Sequence, residues 1–150
     1  MGKKKFCAIS DLHGQFPEIK EKPDILLIGG DVVPLQYQRN SKESKRWLKD
    51  EFIPFCSKNC NELAIVIGGN HDMWLANHGS TDFVEMLPPE IDYLENEVIV
   101  IDEEYAILGT PLCHIFGNWW FMYPDNEIAK KLEPAIEEME KHFIFFFDEI

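Results

Sequence analysis

No stretch of this chain approaches the roughly 20 apolar residues that a membrane-spanning helix requires, so the sequence offers no membrane span. The start, "MGKKKFCAIS", is basic, but too few apolar residues follow before Asp11 to make the core of a secretory leader. Phe6 stands where a myristoylation signal wants Ser or Thr. A cytosolic, reducing environment is the expectation. Cysteine is sparse and scattered: Cys7, Cys56, Cys60 and Cys113. Cys56 and Cys60 lie four apart, yet no second Cys/His pair follows at zinc-site spacing, so reduced, mostly buried thiols are expected. Neither a Gly-x-Gly-x-x-Gly run nor a P-loop Gly-Lys-Ser/Thr occurs, which counts against a nucleotide-binding domain.

An extended basic stripe is also lacking. The net charge is −13, and it is unevenly spread. Met1–Cys60 carries 11 Lys/Arg against 8 Asp/Glu, whereas Asn61–Ile150 carries 3 against 19. Such a chain repels a nucleic-acid backbone, and no extended nucleic-acid surface is expected. The acidic run "EPAIEEMEKH" reads as a solvated helix face. The basic segment Arg39–Lys49 reads as surface rather than as a phosphate site. Carboxylates are, however, what hard and borderline divalent cations require.

What the chain does have is a repeated figure. The 150 residues suit one domain with a real core. Three short apolar runs, Phe6–Ser10, Ile25–Ile28 and Leu63–Ile67, lack polar alternation and read as central strands covered on both faces. Each stops at a polar turn: "DLHG", "GGD" and "GGNHD". Between the second and third, Trp47, Leu48, Glu51, Phe52 and Phe55 mark an amphipathic helix, kinked or ended near Pro54. A short helix fits Thr81–Met86, and two strands joined by an acidic turn fit Val98–Ile101 and Tyr105–Leu108. A helix with Asp125 as its N-cap and an interruption near Pro134 follows, then a buried strand around Phe143–Phe147. Strand and helix alternate, so the fold class is α/β.

Ligands bind at the carboxyl ends of strands in such sheets. The three turns therefore converge, bringing together Asp11, His13, Asp31, Asn70, His71 and Asp72. Carboxylate, imidazole and amide donors without thiolates suit Mn, Fe, Zn or Co better than Ca. Two such ions about 4 Å apart polarise a phosphate and lower the pKa of bound water toward ~7. His71 is then free to protonate a leaving oxygen, oriented by a carboxylate such as Asp72. Any one of these residues alone is more ordinarily a cap, turn or surface residue. The ordered set, each member at the end of an apolar strand, is the signal.

That set resembles the calcineurin-like metallophosphoesterases, whose Asp-x-His, Gly-Asp and Gly-Asn-His-Asp/Glu motifs stand here in order as "DLHG", "GGD" and "GGNHD". "LGTPLCHIFGNWWF" is similar to a Gly-Thr/Ser-Pro segment followed by Asn-Trp in a small cytosolic branch of the family. The resemblance implies a sandwich of two mixed β-sheets flanked by helices, hydrolysing phosphate mono- or diesters with two divalent transition-metal ions. It implies that Asp11 and His13 hold one ion, Asp31 bridges, Asn70 holds the other, and His71 with Asp72 serves the leaving group. The family adds later histidine motifs, and after Asp72 only His78, His114 and His142 occur here, none in such a setting. The chain thus resembles the N-terminal part of the domain, truncated on its C-terminal side. The alternative reading is a truncated or degenerate domain that binds metal or a partner without turnover. Self-association through the C-terminal phenylalanine strand is a further expectation.

Overall fold

The structure, a computed structural model, describes residues 3–143. In chain order the elements are β1 (Phe6–Ile9), β2 (Ile25–Ile28), α1 (Ser41–Trp47), α2 (Ile53–Asn59), β3 (Leu63–Val66), α3 (Met73–His78), β4 (Ile91–Tyr93), β5 (Glu97–Ile101), β6 (Tyr105–Gly109), β7 (Cys113–His114), β8 (Met122–Tyr123) and α4 (Asp125–Phe143). Strands β1 to β4 form one parallel sheet in that order, while β5 and β6 form an antiparallel pair and β7 and β8 a short parallel one. Parallel and antiparallel sheets flanked by helices are the α/β architecture expected. Among the described residues each sheet is of a single sense.

Side-chain alternation explains the layering. Leu26, Ile28, Ala64 and Val66 point to one face, where Leu48, Phe52, Cys56, Trp74 and Phe83 close the main core. Ile25, Leu27, Leu63, Ile65 and Ile67 point to the other face and pack against Ile99, Ile101, Tyr105 and Ile107 of the hairpin. This is why β2 and β3 are apolar at successive positions: both of their faces are covered. The same pattern misleads at β1, which is an edge strand among the described residues, with Phe6 37% exposed. Without alternation, an apolar run does not distinguish an edge from a centre.

The helix expected around Trp47–Phe55 is two α segments joined by a π-helical turn over Leu48–Phe52. The Ile53 amide donates to the Leu48 carbonyl, one residue further back than in an α-helix. Pro54, at the start of α2, has no amide to continue the ladder, and the wider turn lets the chain pass it. Thr81–Met86 is likewise covered by a π turn (Gly79–Phe83) and a 3₁₀ turn (Val84–Met86). At α4 two expectations are corrected. Asp125 is inside the first turn rather than capping it, because the amides of Glu127 and Ile128 donate to the Pro124 carbonyl. Pro134 lies within α4 without ending it. The strand expected around Phe143–Phe147 falls, after Phe143, outside the described residues.

Register aligns the ends of the first three strands. Ile9 pairs with Ile28, and Ile28 with Val66, so the turns that follow begin at one level of the sheet. The ladder continues into the turns themselves. The Asp11 amide donates to the Gly30 carbonyl (3.2 Å), His13 to Asp31 (2.8 Å) and Gly14 to Val32 (2.9 Å).

Candidate metal centre

The second and third turns touch backbone to backbone, which is what their paired glycines permit. A Cβ on Gly30, whose φ is +86°, would lie 2.7 Å from the Gly68 carbonyl and the Gly69 nitrogen. A Cβ on Gly69 would lie 2.2 Å from Asp31 Oδ1. Neither contact is tolerable to a side chain, so Gly is the residue that lets the two turns close up. The His71 amide then donates to Asp31 Oδ1 (2.8 Å), tying the carboxylate to the neighbouring turn.

Asp11, His13 and Asp31 each offer a donor atom, and these atoms all lie within 4.8 Å of one another. Two further observations single out the same residues. All three have left-handed backbones, with φ of 54°, 43° and 51°. Such a conformation costs an L-residue roughly 1 kcal/mol or more, and strain of this kind gathers at functional sites. In addition His13 Nδ1 is buried with no hydrogen-bond partner among the described residues. An unpaired buried ring nitrogen is costly unless something electrophilic occupies it. Two carboxylates clustered with that imidazole are a donor set that fits a divalent transition-metal ion. A cleft of about 540 Å³ lined by Ser10, Asp11, His13, Gln15, Phe16 and Leu35 opens beside them.

The third turn also reaches the cluster. The His71 ring meets His13 edge to face at 5.2 Å between centroids. Asn70 is half-buried, and its carbonyl accepts from the Trp120 amide (3.1 Å). Asp72 is placed otherwise than expected. It is fully buried, and its carboxylate accepts from the amides of Val32 (3.1 and 3.2 Å), Val33 (3.0 Å) and Gly69 (2.9 Å). Burial pushes this carboxyl up to about 7, against the pull of those amides, and the charge of Asp31 pushes it further the same way. Its oxygens are committed to backbone, and the expected pairing with His71 is replaced by another: His71 Nδ1 meets Gln38 Oε1 at 2.6 Å.

Histidines 78, 114 and 142 lie apart from the cluster, each facing a carboxylate of its own: Asp82 at 3.9 Å, Asp125 at 2.7 Å and Glu138 at 3.6 Å.

Residues 4–141 match the calcineurin-like phosphoesterase family. The chain belongs to that family. No curated relative matches it. The family's hydrolase chemistry and the Asp11–His13–Asp31 triad agree on the general character of the site, metal-dependent phosphoester chemistry. No role at the site was expected for Gln38 or Trp119, which both meet the His71 ring, or for Arg39, which stacks on Trp119. The Trp119 ring lies 4.1 Å from that of His71. Its sequence signal was the aromatic pair after Asn118; Gln38 left none.

Proposed function

We propose that the protein hydrolyses phosphate esters at a centre of two divalent transition-metal ions, with Asp11, His13, Asp31 and Asn70 as the metal-holding side chains. The observation that carries this reading is the convergence of donor atoms from Asp11, His13 and Asp31. Asp11 and His13 would hold one ion, Asp31 both, and Asn70 the second. Bound there, the ions supply Lewis acidity, polarising phosphoryl oxygens and acidifying water. The remaining work belongs to the chain. Asp31 is anchored by the His71 amide, so its charge stays fixed between the first and third turns. His71 donates a hydrogen bond from Nδ1–H to Gln38 Oε1, which leaves Nε2 to carry, in the doubly protonated ring, the proton that the departing oxygen takes. Asp72 serves this indirectly, by gathering the amides that follow Asp31 and that of Gly69.

A second reading, metal binding without turnover, is favoured by one observation. His78, His114 and His142 stand outside the cluster, so few imidazoles are available to complete two coordination shells. Metal content and hydrolysis of nitrophenyl phosphate and bis-nitrophenyl phosphate separate the two. Turnover that requires added Mn or Zn and vanishes in Asp31→Asn supports hydrolysis. Two ions taken up with no turnover on either ester supports the second reading, and no metal uptake at all overturns both.

A further inference from the structure

The basic segment after Asp31 does not act as one surface. Lys45 pairs with Asp82 (3.4 Å) and Arg46 with Glu43 (2.5 Å). Arg39 has no carboxylate partner among the described residues; its guanidinium lies over the rings of Trp119 (5.5 Å) and Trp120 (5.4 Å) instead. Trp119 is the same ring that meets His71 at 4.1 Å, and Gln38, the residue before Arg39, holds His71 Nδ1. We propose that Arg39 is an anion-binding residue of this centre, receiving the phosphate oxygens of the substrate. The inference rests on the phosphoesterase reading above and adds to it the residue that recognises the phosphate.

Three features carry it. First, both sides of the contact are anchored. The amides of Tyr37 and Gln38 donate to the Pro34 carbonyl (2.8 and 3.1 Å), and Asn40 caps α1 by accepting from the Glu43 amide (3.2 Å). Gln38 and Arg39 are thus held between a closed turn and a helix start. Opposite them, the Trp120 amide fastens the aromatic loop to Asn70 (3.1 Å). Second, stacking uses the flat face of a guanidinium and leaves its in-plane N–H donors free. An ion pair would consume those donors; two indoles do not. Third, the charge is complementary. In a chain of net charge −13, a guanidinium near the centre adds a cation for the phosphate oxygens that the ions would not hold. A planar fork matched to phosphate geometry is that cation, beside the imidazole that serves the leaving oxygen.

The test loads wild type, Arg39→Gln and Arg39→Lys with Zn, measures metal content, and titrates inorganic phosphate while following tryptophan emission and heat. All three proteins should take up the same metal. The phosphate Kd should rise about tenfold or more in Arg39→Gln, since a charge-assisted bond is lost. Arg39→Lys should fall between, because an ammonium keeps the charge without the fork. With a phosphate ester, KM should rise more than kcat falls. Equal phosphate affinity in wild type and Arg39→Gln at equal metal content overturns the inference while leaving the phosphoesterase reading intact. A zinc-loaded wild type that binds no phosphate overturns it too. Failure of the wild type to bind metal removes the underlying reading and this inference with it.

Discussion

Asp11, His13 and Asp31 each carry two burdens, a donor atom at the cluster and a left-handed backbone. The burdens separate by substitution. Asp11 is exposed and its side chain, besides its place in the cluster, bonds only the Ser10 hydroxyl (2.5 Å) among the described residues, so Asp11→Gly removes strain and one negative charge at little cost in packing. Thermal unfolding without metal should show that variant more stable by about 0.5–1 kcal/mol, and its metal affinity should nonetheless drop. Asp31 and His13 separate differently. Asp31→Asn keeps an oxygen for the His71 amide, so the fold survives while the charge that two ions would share in the proposed centre is lost. Calorimetric titration with Mn or Zn should therefore find Asp31→Asn weaker than His13→Ala; the reverse order would remove Asp31 from its bridging place. At His71, a Gln substitution should leave metal content unchanged and reduce turnover less on nitrophenyl than on alkyl phosphates, because a general acid matters least when the leaving oxygen is already stable. Equal losses on both esters would mark His71 as structural.

Elements bring these residues together through register and through glycine. β1, β2 and β3 end in line, but parallel strands stand too far apart for their turns to touch unless the backbones close in. Gly30 and Gly69 allow that closure, and Asp72 holds it by drawing together the amides of Val32, Val33 and Gly69. The motif "GGNHD" is therefore half architecture: its glycines and its aspartate position Asp31, which belongs to another turn. Gly69→Ala tests this. The new methyl group would sit 2.2 Å from Asp31 Oδ1, inside any tolerable contact, so the carboxylate must swing away or the turns must part. Metal affinity should fall at least tenfold although no ligand has changed, with a stability loss of about 1–3 kcal/mol, typical of a backbone clash in a packed region. Unchanged metal titration in Gly69→Ala would show that Asp31 does not need its present position.

Across the whole molecule, the legible parts were those whose cause is local in sequence. An apolar run that ends in two glycines and a donor side chain announces both a buried strand and its functional edge, and β2 and β3 with their turns were readable for that reason. β1 was readable as a strand but not as an edge, since Phe6 and Ile9 look the same whether or not a neighbour covers them. The pairing of His71 with Gln38 joins loops 33 residues apart, and Asp72 reaches amides 39 and 40 residues away. No periodicity encodes such contacts, so the chemistry of Asp72 suggested a catalytic partner where packing made a clamp. The same long-range assembly has a thermodynamic consequence. Folding the metal-free chain brings Asp11 and Asp31 together, strains three backbones and leaves His13 Nδ1 unpaired, all costs that the unfolded chain escapes. A divalent ion held by this cluster would offset the carboxylate charge only in the folded state, and by linkage it would stabilise that state. At a hundredfold excess over Kd the gain is about 2.7 kcal/mol, which for a chain of this size raises Tm by roughly 5–10 °C. Mn or Zn should produce that shift in a melting curve, a chelator should reverse it, and Asp31→Asn should show little of it. A melting temperature indifferent to metal in the wild type would mean that the three turns are held by backbone and glycine packing alone, and that their donors converge without binding an ion.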